Sequence, residues 1–419
     1  MEGDVFIEPR SRYACGPTEL SNDAKTLCHQ LREKGYAAKT IEGYERACTR
    51  FIEWAGRARK RPRYLDKAGI ERFVTSHLPH CQCIPRCPSS GNVYAGLRHL
   101  EKVVIERLGK DEYSRFRFPP RVVDEILVFE KHLDKVCGLS PATQIYRIRY
   151  AGEFLQHTFG NGEISPSLIT PLGVHDYICR RAQSCRSGTA SVIGGSIKSY
   201  LKFLILHGKL EAHLLLAIPR VANWRLSGLP TVLSATQIQD LLASFNLSRY
   251  AERRDHAMAL FMLDLGLRAG EVATLRLDDI HWRAATVRLC KTKSRKARDL
   301  PLSERCWNAI VYYVREGRPA SIHRQLFLRH RVPVGVPMST ENVRGAMRKA
   351  YARAGFPEAW TGTHLLRHTA ATRMQARGAT LKEVADVLGH QSIDTTMIYT
   401  KLDEASLRSV ALPWPEITS

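Results

Sequence analysis

The first half of this 419-residue chain carries a weak internal repeat, which limits the folds it can adopt. Residues 35–54 read GYAAKTIEGYERACTRFIEW and residues 138–157 read GLSPATQIYRIRYAGEFLQH. At an offset of 103, Gly35, Thr40, Phe51 and Ile52 align with Gly138, Thr143, Phe154 and Leu155. Each segment has a threonine as a candidate N-cap, followed by apolar residues at helical spacing. The pattern predicts a duplicated helical unit. Two unrelated four-helix units are the alternative, because amphipathic helices resemble one another by pattern alone.

Prolines and glycines indicate where these units end. Further helices are expected at 70–78 and 93–108 in the first copy, and at 174–181 and 192–207 in the second. The Pro119-Pro120 pair separates the copies, and a segment containing Pro and Gly follows the second. The predicted domains are an N-terminal tail (1–17), an extra helical domain (18–118), a second helical domain (119–219), a linker (220–235), a third domain (236–402) and a C-terminal tail (403–419).

The third domain has a different pattern. Helices are predicted at 236–245, 253–265 and 268–278, and two β-like runs at 285–290 and 297–302 enclose a basic turn. Helical periodicity then resumes at 303–315, 340–353, 363–377 and 380–388. The fold class is therefore mainly α with a small antiparallel β-sheet.

The charge of the chain indicates a polyanionic partner. Lys and Arg number 63 against 41 Asp and Glu, a formal net charge of +22. Nucleic acid and an anionic membrane surface both fit such an excess. No apolar run approaches the ~18 residues that a membrane span needs, so nucleic acid is favoured. The eleven cysteines, an odd number without a secretory signal, favour free thiols and a cytoplasmic protein.

The residues that can carry out chemistry lie in the third domain. His364 and Arg367 are one helical turn apart in THLLRHT, and His390 lies nine residues before Tyr399 in LGHQSIDTTMIYT. Arg268 follows Gly266 in GLRAGE, and the turn KTKSRKAR is strongly basic. Guanidinium groups neutralise the oxygens of a pentacovalent phosphate, a lysine can protonate a leaving oxygen, and a tyrosine can act as a nucleophile. The set suits metal-free attack on a phosphodiester.

These motifs resemble the tyrosine recombinases, the phage-integrase family, over residues 230–402. The resemblance rests on six residues in order: Arg268, Lys293, His364, Arg367, His390 and Tyr399. It implies that Tyr399 attacks a DNA phosphate to give a 3′-phosphotyrosyl bond and a 5′-hydroxyl. Lys293 would be the general acid, with Lys291 as the nearby competitor. Arg268, Arg367 and His390 would bind the phosphate, and His364 would assist proton transfer, without metal, ATP or another cofactor.

The resemblance also implies roles for the other domains. Residues 119–219 take the place of the family's core-binding (SAM-like) domain, and 18–118 would be an additional domain of similar type. The apolar tail 403–419 would dock on a neighbouring subunit in a tetramer formed by this chain or with sister recombinases on double-stranded DNA. Transposase-like members of mobile elements also have such extensions. The expected DNA contacts are Lys291, Arg295, Lys296, Arg298, Arg147, Arg149, Arg180, Arg181, Lys198 and Lys202.

Other interpretations remain open. A lone His364 is more often a surface histidine, and a lone Tyr399 more often a core tyrosine. Glu271, one turn after Arg268, either orients that arginine or faces solvent. The cluster His80, Cys81, Cys83 and Cys87 is a weak zinc candidate, and loop thiols are favoured over metal. The alternative functions are a type IB topoisomerase and a catalytically silent DNA-binding regulator.

Overall fold

The computed structural model describes residues 17–57, 65, 67–81, 90–107, 118–185, 187–219, 231–290, 297–390 and 396–397. These residues form two compact units, and the main division between them falls within 220–230. Of the helices that the structure describes, none is both long and apolar enough to span a bilayer.

The first unit begins with helices α1 (Pro17–Glu33), α2 (Ala38–Gly56), α3 (Lys67–Arg72) and α4 (Ser90–Arg107). A π-helical turn (Phe73–His77) and a 3-10 turn (Leu78–His80) continue α3. The rings of Phe51, Trp54 and Phe73 pack together at centroid distances of 5.4–5.6 Å. Arg107 Nε donates to Asp23 Oδ1 at 2.8 Å, which ties the end of α4 to α1. The packing of these aromatic rings and the pairing of Arg107 with Asp23 therefore contribute to holding these helices together.

Four further helices form the rest of the first unit: α5 (Pro120–Lys135), α6 (Pro141–Phe159), α7 (Pro171–Gln183) and α8 (Ser187–Leu206). They surround a hydrophobic core of their own, which extends from Phe118 to Leu214. Phe129, Phe154 and Phe203 are each at most 1% exposed within it. Burial of these large aromatic side chains contributes to the stability of this bundle.

The element positions follow the repeat. α1 and α5 start 103 residues apart, at Pro17 and Pro120, and α2 and α6 do the same. The turns between them contain Gly35 (φ +76°) and Gly138 (φ +56°), a conformation that favours glycine. The predicted N-caps are wrong. Thr40 and Thr143 lie inside their helices. Ser140 occupies the N-cap position of α6 without a side-chain cap hydrogen bond, and Pro141 follows it in the first helical turn, where proline is favoured.

The described part of the second unit contains seven α-helices and one small sheet. The helices are α9 (Ala235–Ala243), α10 (Tyr250–Asp264), α11 (Ala269–Thr274), α12 (Glu304–Glu316), α13 (Thr340–Arg353), α14 (His364–Ala376) and α15 (Leu381–Leu388). The strands are β1 (Ile280–His281), β2 (Thr286–Leu289) and β3 (Arg298–Pro301), paired antiparallel in that order. Residues 257–263 of α10 are at most 1% exposed, so this helix forms the centre of the core. The mainly helical fold with a small antiparallel sheet is confirmed.

One predicted helix in this unit is too long. The stretch 268–278 is helical only as far as Thr274, and a 3-10 turn (Leu277–Asp279) and the unpredicted strand β1 follow. Leu277 N–H donates to the carbonyl of Arg324 at 2.9 Å, and Leu326 N–H donates to the carbonyl of Leu275 at 2.7 Å. Because these bonds join segments about 50 residues apart, tertiary pairing overrides the local helical pattern.

Candidate active site

Arg367 is a buried cation held by main-chain carbonyls. It lies on α14 with 3% of its surface exposed. Its Nη1 donates to the carbonyl of Gly266 at 2.5 Å, and its Nη2 donates to that of Leu388 at 2.8 Å. Gly266 has φ +64°, and a Cβ there would lie 2.3 Å from Leu388 Cδ2. Glycine is therefore required where the turn after α10 approaches the end of α15.

Arg268 lies beside the same helix end. Its Nη1 is 3.5 Å from the carbonyl oxygen of Leu388, and its Nη2 is 3.5 Å from that of Gly389. Gly389 ends α15 in the left-handed conformation (φ +62°). The last carbonyls of a helix have no partner within the helix and carry partial negative charge, so they attract cations. The C-terminus of α15 thus brings two predicted phosphate ligands together.

Glu271 orients Arg268, the role that the sequence left open. Its Oε1 accepts a hydrogen bond from Arg268 Nη1 at 3.0 Å, and its Oε2 accepts one from the Arg268 backbone N–H at 2.9 Å. The Glu271 side chain is only 5% exposed. A carboxylate buried next to a guanidinium fixes the direction in which the guanidinium points. The i, i+3 spacing from Arg268 was the sequence signal for this contact.

Arg298 joins the same group. Its Nη2 donates to Glu271 Oε2 at 3.1 Å, and its side chain is 9% exposed. It lies at the start of β3, and the sequence predicted it to be a DNA contact of the basic hairpin. The structure places its guanidinium against the carboxylate that orients Arg268, and its contact with DNA stays a prediction. Nothing in the sequence separates Arg298 from the other basic residues of this turn.

His390 follows Gly389 directly and lies close enough to the arginines to be influenced by their charges. Its backbone N–H donates to the carbonyl of Ala385 at 2.9 Å. Burial, followed by the positive charges of Arg367, Arg268 and Arg298 and by His368, lowers the pKa of His390 to about 4. The imidazole is therefore neutral at pH 7 and carries one ring proton, which suits a hydrogen bond to an anion.

Thr396 holds the ring of His390 in place. Its Oγ1 is 2.7 Å from His390 Nδ1, and the residue is fully buried. Sequence reasoning missed this residue because it lies in no regular element and the contact depends on how the chain turns after α15. The hydroxyl sits three residues before Tyr399 in the sequence.

His364 begins α14, one turn before Arg367, as predicted. Its side chain is exposed, and its ring lies 6.2 Å from that of His368. Burial, then His364 and Arg367, lowers the pKa of His368 to about 4, so this histidine is neutral as well. Four of the six predicted catalytic residues thus have described positions. Lys293 and Tyr399 lie outside the described residues, as do Lys291, Arg295 and Lys296.

The predicted DNA contacts of the second helical copy differ in their surroundings. Arg149, Arg180, Lys198 and Lys202 are exposed. Glu153 binds Arg149 at 2.8 Å and Arg181 at 2.7 Å, and Arg180 Nη1 is 3.0 Å from His157 Nε2. Arg147 is half-buried, and burial lowers its pKa. The two arginines bound to Glu153 therefore have an internal partner already.

The zinc candidate is incompletely described. Cys83 and Cys87 lie outside the described residues. Cys81 is disulfide-bonded, so the expectation of a free thiol is wrong at this position. A disulfide sulfur is not a thiolate ligand, and Cys81 would have to be reduced to bind zinc. Within the described ranges, no group of three or more His, Cys, Asp or Glu side chains is arranged to hold a metal ion. The zinc site stays a prediction.

Comparisons with known proteins agree with the fold. Residues 231–406 match the model of the phage integrase family. Two relatives from Sinorhizobium fredii, "Putative integrase/recombinase y4rA" and "Putative integrase/recombinase y4rF", are 33% and 35% identical. They cover 77% and 78% of this chain, and the chain covers 78% and 77% of theirs. The tyrosine recombinase XerD of Lacticaseibacillus casei is 32% identical over 51% of this chain and 72% of its own.

Solved structures share the architecture. The Tn1549 transposon integrase, in complex with transposon right end DNA, matches 68% of this chain and 99% of its own with a TM-score of 0.54 at 16% identity. The XerH recombinase in a post-cleavage complex with palindromic difH DNA matches 81% of this chain and 93% of its own, also with a TM-score of 0.54, at 17% identity. The fold is the one that these tyrosine recombinases share. The chain belongs to the phage integrase family.

Proposed function

We propose that this enzyme cuts and rejoins duplex DNA through a covalent bond between Tyr399 and a 3′-phosphate. The observation that carries the proposal is the meeting of Arg268, Arg367 and His390 around the last carbonyls of α15. Two guanidinium groups and one neutral imidazole supply charge and hydrogen bonds to a phosphate without a metal ion.

Each residue has a part in the proposed reaction. The phenol oxygen of Tyr399 bonds to phosphorus while the bond to the 5′-oxygen breaks. Lys293 protonates that leaving oxygen, and His364 assists the removal of the phenol proton. Arg268 and Arg367 bind the non-bridging oxygens, and His390 donates one hydrogen bond to them. Because the phosphotyrosyl bond conserves the energy of the broken bond, rejoining needs no ATP.

The partner we propose is double-stranded DNA bound by a homo-tetramer, or by a tetramer with sister recombinases. The net charge of +22 and the names of the relatives support this partner. Residues 119–219 and 236–402 would bind the duplex together, 18–118 would add a further helical domain, and the tail 403–419 would contact a neighbouring subunit. The tail lies outside the described residues. The likeness to a transposon integrase favours a mobile element as the source of the DNA.

Trapping the covalent intermediate tests the reaction. A pool of nicked duplexes with a randomised central segment is incubated with the wild-type chain, and DNA that becomes covalently attached is recovered and sequenced. A nick near the cut lets the leaving strand diffuse away, so the intermediate accumulates. We expect the wild type to enrich a defined sequence and Tyr399→Phe to form no adduct, because phenylalanine has no nucleophilic oxygen.

Tyr250→Phe is the matched control. Tyr250 is 58% exposed on the same unit, and its ring packs under the guanidinium of Arg253, a contact that phenylalanine preserves. This variant should form the adduct at the wild-type rate. Adduct formation by Tyr399→Phe contradicts the proposal. Relaxation of any supercoiled plasmid by the wild type favours a type IB topoisomerase, and binding without adduct favours a silent regulator.

A further inference from the structure

Arg298 is largely buried although most of its hydrogen-bond donors have no partner among the described residues. Its side chain is 9% exposed, and only Nη2 is bonded, to Glu271. Among the residues that the structure describes, neither Nε nor Nη1 of Arg298 has a hydrogen-bond partner. A guanidinium stays protonated in proteins, so burying it with two unsatisfied donors is costly unless a ligand uses them. Burial indeed lowers its pKa, although Glu271 partly opposes this effect.

The charges around Glu271 do not balance. Its single carboxylate accepts hydrogen bonds from both Arg268 and Arg298, while Arg367 donates to the carbonyls of Gly266 and Leu388. His390 and His368 are neutral at pH 7. Three guanidinium groups and one carboxylate leave a net charge of about two positive units among these described groups. A phosphodiester carries one negative charge, and the pentacovalent transition state approaches two.

We propose that Arg298 is a third phosphate-binding guanidinium of this site and uses its free Nε and Nη1 to bind a non-bridging oxygen of the scissile phosphate. This assignment rests on the proposed function. It moves Arg298 from the group of hairpin residues that contact DNA generally to the group that binds the reacting phosphate. Three cations and Glu271 then match the charge of the transition state better than that of the bound substrate, which is the condition for catalysis.

A substrate without the phosphate charge tests this assignment. The nicked duplex enriched by the wild type is prepared with a normal phosphate or with an uncharged methylphosphonate at the scissile position. Adduct formation is measured in single turnovers for the wild type and Arg298→Gln. Losing a donor to a developing charge costs about 10²-fold in rate. We expect Arg298→Gln to lose about 30- to 100-fold on phosphate and less than about threefold on methylphosphonate.

The ratio of the two rates within one variant does not depend on how much of the protein is folded. Arg288→Gln is the matched control. Arg288 lies on β2 of the same hairpin, is 52% exposed and pairs with Asp299 at 2.9 Å. The Arg288→Gln variant should form the adduct at the wild-type rate on both substrates. Arg298→Lys keeps the charge but not the fork geometry, and should retain more activity on phosphate than Arg298→Gln.

Two results would overturn the assignment of Arg298 but leave the proposed function intact. One is an equal loss by Arg298→Gln on phosphate and on methylphosphonate, which means that Arg298 only supports Glu271. The other is a wild-type rate for Arg298→Gln on phosphate. In both cases the wild type still forms its Tyr399-dependent adduct, and the proposed function stands. If the wild type forms no adduct with any duplex, the proposed function fails and the assignment of Arg298 fails with it.

Discussion

Arginine occupies opposite environments in two regions of this molecule. In the second unit, Arg298 and Arg367 are withdrawn from water and held by carbonyl oxygens or by Glu271. In the second helical copy, Arg149 and Arg181 lie at the surface and share Glu153. A buried cation is held by the groups that bind it and is little screened by salt, whereas a surface ion pair is screened by salt and contributes little. We therefore expect substitutions of the buried arginines to act on the reaction through the lost position of a guanidinium. Substitutions of the surface arginines should act on DNA affinity through the change in net charge.

The largest effect is expected for Arg367→Gln. Without the guanidinium, the carbonyls of Gly266 and Leu388 lose their charged donor. In the proposed reaction the phosphate also loses a ligand. We expect adduct formation to fall by at least about 10³-fold, and the free energy of unfolding by about 2–4 kcal/mol. Single-turnover cleavage of the enriched duplex and urea unfolding measure the two effects.

Arg373→Gln is the control for this change. Arg373 lies on the same helix, is 30% exposed, and is 3.7 Å from Asp264. It should keep the cleavage rate within about threefold and the free energy of unfolding within about 1 kcal/mol of wild type. Cleavage by Arg367→Gln within tenfold of wild type would show that its burial serves the fold alone.

An intermediate effect is expected for Thr396→Val. The substitution preserves shape but removes the hydroxyl that is 2.7 Å from His390 Nδ1. Because His390 is neutral, this contact influences which ring nitrogen carries the proton that, in the proposed reaction, is donated to the phosphate. One such hydrogen bond contributes about 1–1.5 kcal/mol, so cleavage should slow by about tenfold. Thr396→Ser retains the hydroxyl and should be close to wild type. If Thr396→Val and Thr396→Ser cleave the duplex at equal rates, the Thr396 hydroxyl does not have this role.

The smallest effect is expected for Arg149→Ala. Its exposed ion pair with Glu153 should change the free energy of unfolding by less than about 0.5 kcal/mol. Duplex affinity should fall only a few-fold, and the slope of log affinity against log salt should become shallower by about one. Fluorescence titrations at several salt concentrations measure this slope. Arg121→Ala, at an exposed position outside the predicted contacts, should leave it unchanged.

Much of this fold could be predicted from local patterns. The hairpin strands, α14 and α15 were located because periodicity and capping act within a few residues. The early end of α11 could not be predicted in this way, because the partners of Leu275 and Leu277 lie about 50 residues further along the chain. The repeat gave the correct offset, although Pro141 rather than Thr143 sets the start of α6.

The sequence indicated candidate residues for the site but not the hydrogen bonds that join them. Motif order identified Arg268, Arg367 and His390, and spacing suggested Glu271. The burial of Arg298 depends on how β3 packs against α11, and the contact of Thr396 depends on how the chain returns to His390. These are tertiary contacts that no short pattern encodes. The general lesson is that a basic residue in a turn can be either a surface contact or part of the reaction centre.

Mapping the covalent adduct tests the central claim most directly. The enriched duplex is trapped on the wild-type chain, trimmed with nuclease, digested with trypsin and analysed by mass spectrometry. We predict a nucleotide attached through its 3′-phosphate to the peptide 383–401, whose single tyrosine is Tyr399. Attachment to another residue, or through a 5′-phosphate, would contradict the proposed arrangement of Arg268, Arg367 and His390 around a phosphate attacked by Tyr399.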